Sequence, residues 1–338
     1  MEAYRLIKRT KPYTSESVFG FLMRAAAANH YHSHQQILQY AIDAGPNKQT
    51  VELAQISRLG TYMRNSVGEL AQLSGITRHV SCKGNEWKVL GEWLSKTSFI
   101  NARSAPVCPQ CLREACFLRG EWHLSFNVSC WKHKCALIDR CPECKQKLLL
   151  SRRHPAFCDC MFDLRHSVTS VDEPEALLVA SLFCNRTYGS LNYDSTAMPD
   201  IQIENLAGLT LDGLCHTLWF LGHHLNSNFS LTRGSALRKL TFQETREMIS
   251  HVCWLLSDWP ARLEQALTKK IALRHRWAGN SSTVRLLGPV QRYFDTHIEP
   301  SALKFIVIPY EIYMRRLVKS AGVRLPRVDT RQLELDLI

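Results

Sequence analysis

The chain lacks the features that would place it in a membrane or in a secretory route. Its opening, MEAYRLIKRTKPYT, has no apolar core of the kind a signal peptide carries. Its longest apolar runs, such as ALLVASLFC at 176–184, fall far short of the roughly 20 residues needed to span a bilayer. A soluble, cytoplasmic protein is expected, with no membrane and no small-molecule substrate. No repeat of fixed period and no low-complexity tract is visible, so a solenoid or a linker-like chain is excluded. The signatures of catalytic zinc are missing too. There is no His-Glu-x-x-His, and no His-x-Glu joined to the Pro-Cys-x-x-Cys that a nucleobase deaminase needs. Acidic residues are in deficit. Thirty Asp and Glu against 42 Lys and Arg leave a net charge of +12, which favours polyanionic partners because each neutralised phosphate releases counterions.

Cysteine is abundant instead. Thirteen cysteines in a chain without a secretory signal point away from disulfides and toward metal. Nine of them fall between 108 and 160, in a regular arrangement. Cys108-Pro-Gln-Cys111 is a knuckle whose tight turn lets two thiolates converge on one ion. Cys130-Trp-Lys-His133 offers a second pair for the same ion. Cys141-Pro-Glu-Cys144 opens another knuckle, which Cys158-Asp-Cys160 can close. Two structural zinc ions per chain are therefore expected, held by Cys108, Cys111, Cys130 and His133 and by Cys141, Cys144, Cys158 and Cys160. At the first site Cys135 could replace His133, and His123 or Cys116 could also enter the shell. Both sites can be closed by Cys and His alone, leaving no open position for a catalytic water. A non-enzymatic protein is expected.

Helical periodicity flanks this cluster. Thr14 or Ser15 can cap a helix carrying Val18, Phe19, Leu22, Met23 and Ala26, and Ser33 can cap a second ended by Gly45-Pro46. Ser66-Val-Gly-Glu69 is a capping box, with Gly75 as the expected stop. Short helices in this number suit a helix-turn-helix-like bundle. His30-Tyr-His-Ser-His34 reads as a polar turn. Downstream, Asp172-Glu-Pro-Glu175, Thr210 and the box Thr241-Phe-Gln-Glu244 each start a helix, and Asp258-Trp-Pro260 breaks one. Trp87, Trp93, Trp219, Trp254 and Trp259 are expected to pack against apolar faces. His216, His223 and His224 share a helix with no thiolate or carboxylate set beside them, and are not taken as ligands.

The predicted fold is mainly α. Residues 1–80 form an N-terminal helix-turn-helix-like domain, 81–105 a connector, 106–168 a tandem zinc-finger module, and 169–338 a C-terminal helical domain. Within 132–165 eight Lys or Arg stand against four Asp or Glu. Lys145, Lys147, Arg152 and Arg153, flanking the second knuckle, are candidate nucleic-acid contacts.

Two stretches resemble a known family. Lys11-Pro-Tyr-Thr-Ser-Glu-Ser-Val18, running on to Phe21-Leu-Met-Arg-Ala25, resembles the opening of TniQ proteins, relatives of the transposition target selector TnsD. CPQCLREACFLRGEWHLSFNVSCWKHKCALIDRCPEC at 108–144 resembles their double zinc-finger region, with Trp122 between the ligand pairs and Leu137 after the histidine. Asp258-Trp-Pro260 is similar to part of their C-terminal helical region. This chain has Gly20-Phe21 where many relatives carry Ser-Trp. The details are most similar to TniQ of type I-F CRISPR-associated Tn7-like transposons. That resemblance implies a homodimer docked on a crRNA-guided Cascade complex, passing the target site to the AAA+ regulator TnsC and so to the transposase. DNA and RNA would be met through that assembly. The alternative it implies is a TnsD-like, sequence-specific DNA-binding target selector.

Overall fold

The computed structural model describes residues 5–45, 50–81, 84–188, 203–225, 240–278, 290, 293, 296 and 303–321. Helices make up about 51% of it, joined by small sheets. Helix α1 (Val18–Ala28) starts at Ser17, whose Oγ accepts the Gly20 amide at 3.0 Å. The cap was expected two or three residues earlier. Residues 15–17 cannot be helical because they pair with a distant segment: Glu16 bridges Arg119, Ser17 N–H donates to Leu118 at 2.8 Å and Gly120 N–H to Ser15 at 2.6 Å. Helix α2 (His34–Ile42) is capped by Ser33 as expected. Its C-cap is Asp43 in the left-handed region, and Pro46 lies outside the described residues.

Strand β1 (Val51–Glu52), helix α3 (Ile56–Met63) and helix α4 (Val67–Ala71) follow. The Ser66–Glu69 box caps α4. Gly75 is not its stop. At φ +93° Gly75 turns the chain into strand β2 (Ile76–Val80), and its N–H donates to Lys88 at 2.7 Å. Strands β3 (Gly84–Val89) and β4 (Glu92–Leu94) complete a sheet of order β1-β2-β3-β4, parallel only between β1 and β2. The region expected as a connector thus contains most of this sheet. Trp87 is buried, while Trp93 lies beneath the Arg78 guanidinium at 4.0 Å.

Helix α5 (Pro109–Glu114) and the hairpin of β5 (Ser129–Cys130) and β6 (Cys135–Ala136) form the middle of the chain. Beyond them come α6 (Pro174–Tyr188), α7 (Ile203–Ala207), α8 (Leu211–Trp219), α9 (Phe242–Leu256), α10 (Ala261–Ala278) and α11 (Lys304–Ala321). Thr210 caps α8 and the Thr241–Glu244 box caps α9, each cap contributing about 1 kcal/mol. Helix α8 runs into a π turn at Phe220–His224 that packs tightly on α9. A Cβ on Gly222 would meet Met248 Cγ at 2.2 Å, so only glycine fits. Trp254 on α9 is 40% exposed, with Arg262 over its ring, and does not join the core as expected. His216 is buried and bonded to Ser95 Oγ at 3.1 Å and Tyr293 Oη at 2.9 Å, a use that needs no metal.

Two apolar cores organise these elements. One joins α1–α4 to Val107, Leu112, Leu118, Trp122, Leu137 and Leu148. The other joins Trp87, Val89, Leu94, Phe99, Leu124, Phe126 and Val128 to the C-terminal helices. Residues 118–128 pass between the two, with Trp122 facing the first and Leu124 the second.

Candidate metal centres

Each candidate ligand pair is presented by a short, locally determined turn. Cys108 is the N-cap of α5, Pro109 occupies its first turn, and Cys111 follows within the helix. Proline suits that position because it needs no hydrogen-bonded N–H there. Cys130 ends β5 and pairs across the hairpin with Cys135, while the tip between them carries His133. The Sγ atoms of Cys108, Cys111 and Cys130 and a ring nitrogen of His133 all lie within 4.8 Å of one another. Nδ1 of His133 is 3.4 Å from Cys108 Sγ, 3.3 Å from Cys111 Sγ and 3.6 Å from Cys130 Sγ, and Cys111 and Cys130 are 3.6 Å apart. A tetrahedral ion with metal–sulfur bonds of about 2.3 Å and metal–nitrogen of about 2.0 Å requires edges of about 3.8 Å and 3.5 Å. The donor set fits such an ion.

Cys135 Sγ comes within 3.7 Å of Cys108 Sγ but stands outside this mutual set. As the strand partner of Cys130 it approaches from the side, whereas His133 reaches over from the turn. The other two candidates, His123 and Cys116, are likewise outside the set. The far nitrogen of His133, Nε2, meets Glu114 Oε1 at 2.9 Å, and Glu114 also accepts from Lys132 Nζ. A carboxylate on the second imidazole nitrogen fixes the ring and its tautomer for metal binding. Sequence reading missed Glu114. The available signal was a carboxylate three residues past Cys111, in the last turn of a helix whose first turn holds the knuckle.

The second tetrad is built from two similar turns. Lys145 N–H returns to Cys141 O at 2.9 Å with Lys145 at φ 61°, and Met161 N–H returns to Cys158 O at 2.9 Å with Met161 at φ 70°. Cys141 and Cys160 stand 3.7 Å apart, as do Cys144 and Cys158, and all four sulfurs lie within 4.8 Å of one another. The Phe162 backbone N–H draws the Cys160 thiol down to about 7, whereas burial pushes Cys158 up to about 12. Four crowded sulfurs become uniform thiolates only around a cation. This set also fits a metal, and the two clusters together could hold two ions.

The four basic candidates separate. Lys145, Lys147 and Arg153 are exposed beside the second tetrad. Arg152, expected with them, is 1% exposed. Its guanidinium donates to the carbonyls of Leu149 at 2.9 Å, Pro155 at 3.3 Å and Ala105 at 3.4 Å, and burial lowers its pKa to about 10. It serves as an internal brace and offers no surface to phosphate. The adjacent arginines point opposite ways because the turn at 151–155 wraps one of them under the loop.

A buried ion pair fixes the N-terminal segment where its backbone pairs with residues 118–120. Glu16 is fully buried and receives Arg24 in a two-pronged bond, Nε to Oε1 at 2.7 Å and Nη2 to Oε2 at 2.6 Å, with Tyr13 N–H on the same Oε2 at 2.9 Å. Charge-assisted, bidentate pairing of this kind is among the stronger polar contacts a fold can make. Glu16 lies in the Lys11–Val18 stretch, so the motif holds the entry of α1 against residues 117–120.

No helix among the described residues is long and apolar enough to cross a membrane. Residues 8–137 match the TniQ family. The matched span runs from the N-terminal segment through the sheet to the last ligand of the first tetrad, and stops before Cys141. It supports a relationship to the TniQ and TnsD proteins for that part of the chain. No curated protein matches the chain.

Proposed function

We propose that this chain is a non-catalytic targeting adaptor of RNA-guided DNA transposition. The observation that carries the reading is the TniQ match over the same residues that build the first metal cluster and the bundle fused to it. In this reading the metal in each tetrad is zinc, and both ions are structural. The chain docks as a homodimer on a crRNA-guided Cascade-type complex and recruits a TnsC-type AAA+ ATPase and the transposase. Guide pairing then selects the sequence, and the adaptor supplies protein interfaces and basic surface. Residues 1–80 act as a helix-turn-helix-like docking domain, 106–168 as a zinc-finger module, and 169–338 as a helical domain, with 81–105 between.

The test is co-purification with neighbouring CRISPR and transposition proteins, with and without crRNA. Recovery with the loaded guide complex, and no sequence-specific recovery with free DNA at physiological salt, supports the adaptor. The second reading, a TnsD-like sequence-specific selector, is favoured by Lys145, Lys147 and Arg153 standing exposed at the second tetrad. Tight, sequence-specific binding to DNA at physiological salt without any guide complex would establish the selector and remove the adaptor.

A further inference from the structure

The N-terminal segment before α1 is a strap, bent at Ile7 and Lys8, clamped to the bundle by its own backbone. Leu6 is buried, and its N–H donates to Tyr62 O at 2.9 Å. The Asn29 amide holds Lys8 at both ends, accepting its N–H at 2.7 Å and donating to its carbonyl at 2.8 Å. Arg64 donates to Ile7 O at 3.1 Å, Asn65 to Thr10 O at 3.1 Å and Arg24 to Lys11 O at 2.9 Å. Side chains from α1 and from the end of α3 thus fix the strap's main chain, leaving Arg5, Ile7, Lys8, Arg9 and Lys11 exposed while Leu6 is buried.

Those outward side chains carry one sign of charge. Arg5, Lys8, Arg9 and Lys11 are all exposed, and residues 5–15 contain no carboxylate. Arg9 is neutralised by Glu69 at 2.7 Å. Among the described residues Arg5, Lys8 and Lys11 have no ion pair, and Arg64 beside Ile7 has none either. Unneutralised cations spaced three residues apart on an anchored main chain do little for stability, since they repel one another. A chain advances at most about 3.3–3.6 Å per residue, so the backbones of Arg5, Lys8 and Lys11 lie within roughly 20 Å of one another.

We propose that this strap is a preset cation rail for the sugar-phosphate backbone of duplex DNA, separate from the second tetrad and its lysines. The argument for a duplex is a match of rigidity. Duplex phosphates recur at a fixed rise of about 3.4 Å per strand, so a fixed row of cations can engage several at once without ordering the partner. A single strand or a mobile acidic peptide would have to be straightened along the rail at an entropic cost. The rail reads no bases; it would orient the protein on DNA near a site chosen by other means. The inference deepens the nucleic-acid part of the function proposed above.

The test uses the full-length protein, a short fluorescent DNA duplex of arbitrary sequence, and a salt series. The triple variant Arg5→Gln, Lys8→Gln, Lys11→Gln keeps every backbone group that clamps the strap, so its thermal melting should match the wild type. Duplex affinity should fall at least about tenfold, and the slope of log K against log salt should drop by about 2–3. Lys145→Gln, Lys147→Gln, Arg153→Gln is the matched control at the second tetrad. Unchanged affinity and slope in the strap variant, or weakening only in the control, overturns the rail. So does polyglutamate competing as well as duplex, which would identify an acidic protein surface, or binding confined to an RNA hairpin. If wild-type protein binds no duplex yet co-purifies with the guide complex, the rail is wrong and the adaptor stands.

Discussion

Of the first tetrad's ligands, three are buried and His133 is half-buried; in the second, Cys144 is half-buried and Cys160 exposed. The donors are nearly the same, but the surroundings differ. Cys108, Cys111 and Cys130 belong to the same apolar core as α1–α4, as do Cys141 and Cys158 of the second site, and Gly20 and Gly120 allow the chain segments to close on one another beside the first. A Cβ at Gly120 would meet Ser74 Oγ at 2.2 Å. The second tetrad reaches that core through Cys141 and Cys158, but its outer edge at Cys160 lies at the surface, where Met161 is 75% exposed. Both clusters thus join the N-terminal core, the first with all three of its cysteines and the second with one edge left in solvent. Similar coordination chemistry can therefore carry very different weight in folding.

The largest expected effect contrasts Cys108→Ser with Cys160→Ser. Structural zinc in small modules contributes about 10–16 kcal/mol of apparent binding energy, comparable to the whole stability of a domain at about 5–15 kcal/mol. Cys108→Ser should lose one metal and unprotect the amides of α1 and α3 in hydrogen exchange. Cys160→Ser should also lose one metal yet leave those amides protected. Equal loss of protection in both would erase the distinction between the buried Cys108 and the solvent-edge Cys160.

Glu121 comes next. It is fully buried between the ligand pairs of the first site, with Cys184 Sγ 3.8 Å from its Oε1, and burial raises its pKa to about 7. A carboxyl whose folded pKa lies above its unfolded value of 4.5 contributes fully below that value, and the contribution is lost as pH rises toward 7. At about pH 8 the ionised group costs on the order of 3 kcal/mol. Glu121→Gln should raise unfolding free energy by up to that amount at pH 8, with the gain shrinking toward pH 5. Denaturant titration at both pH values measures this, and a gain independent of pH would rule the explanation out.

Glu114→Ala should weaken the first site about 10- to 100-fold, or about 1.4–2.7 kcal/mol, in competition with a chelator. The second site, with no histidine to orient, should be unaffected. Smallest is Cys135→Ser, which should keep both metals and change stability by less than about 1.5 kcal/mol, whereas His133→Ala should lose one. The reverse pattern by metal analysis would put Cys135 in the shell.

Much of this was legible along the chain. A knuckle is a local device, so Cys-Pro-x-Cys spacing alone brings two sulfurs together, and Ser33, Ser66, Thr210 and Thr241 cap helices because a cap depends on the next three residues only. The cap of α1 was misplaced because pairing with residues 118–120, remote in sequence, holds Ser15 and Glu16 out of the helix. Gly75 read as a helix stop because a positive φ serves strand entry equally well.

The sequence by itself determined the ligand types, their pairing into two sets and the helical character of both ends, since each follows from spacing within one turn. Only the tertiary structure decided that His133 stands in the mutual set and Cys135 beside it, and that Arg152 turns inward while Arg153 does not. It alone decided that both clusters are continuous with the N-terminal core. Burial is a property of what the rest of the chain places alongside a residue, and no local pattern carries that information.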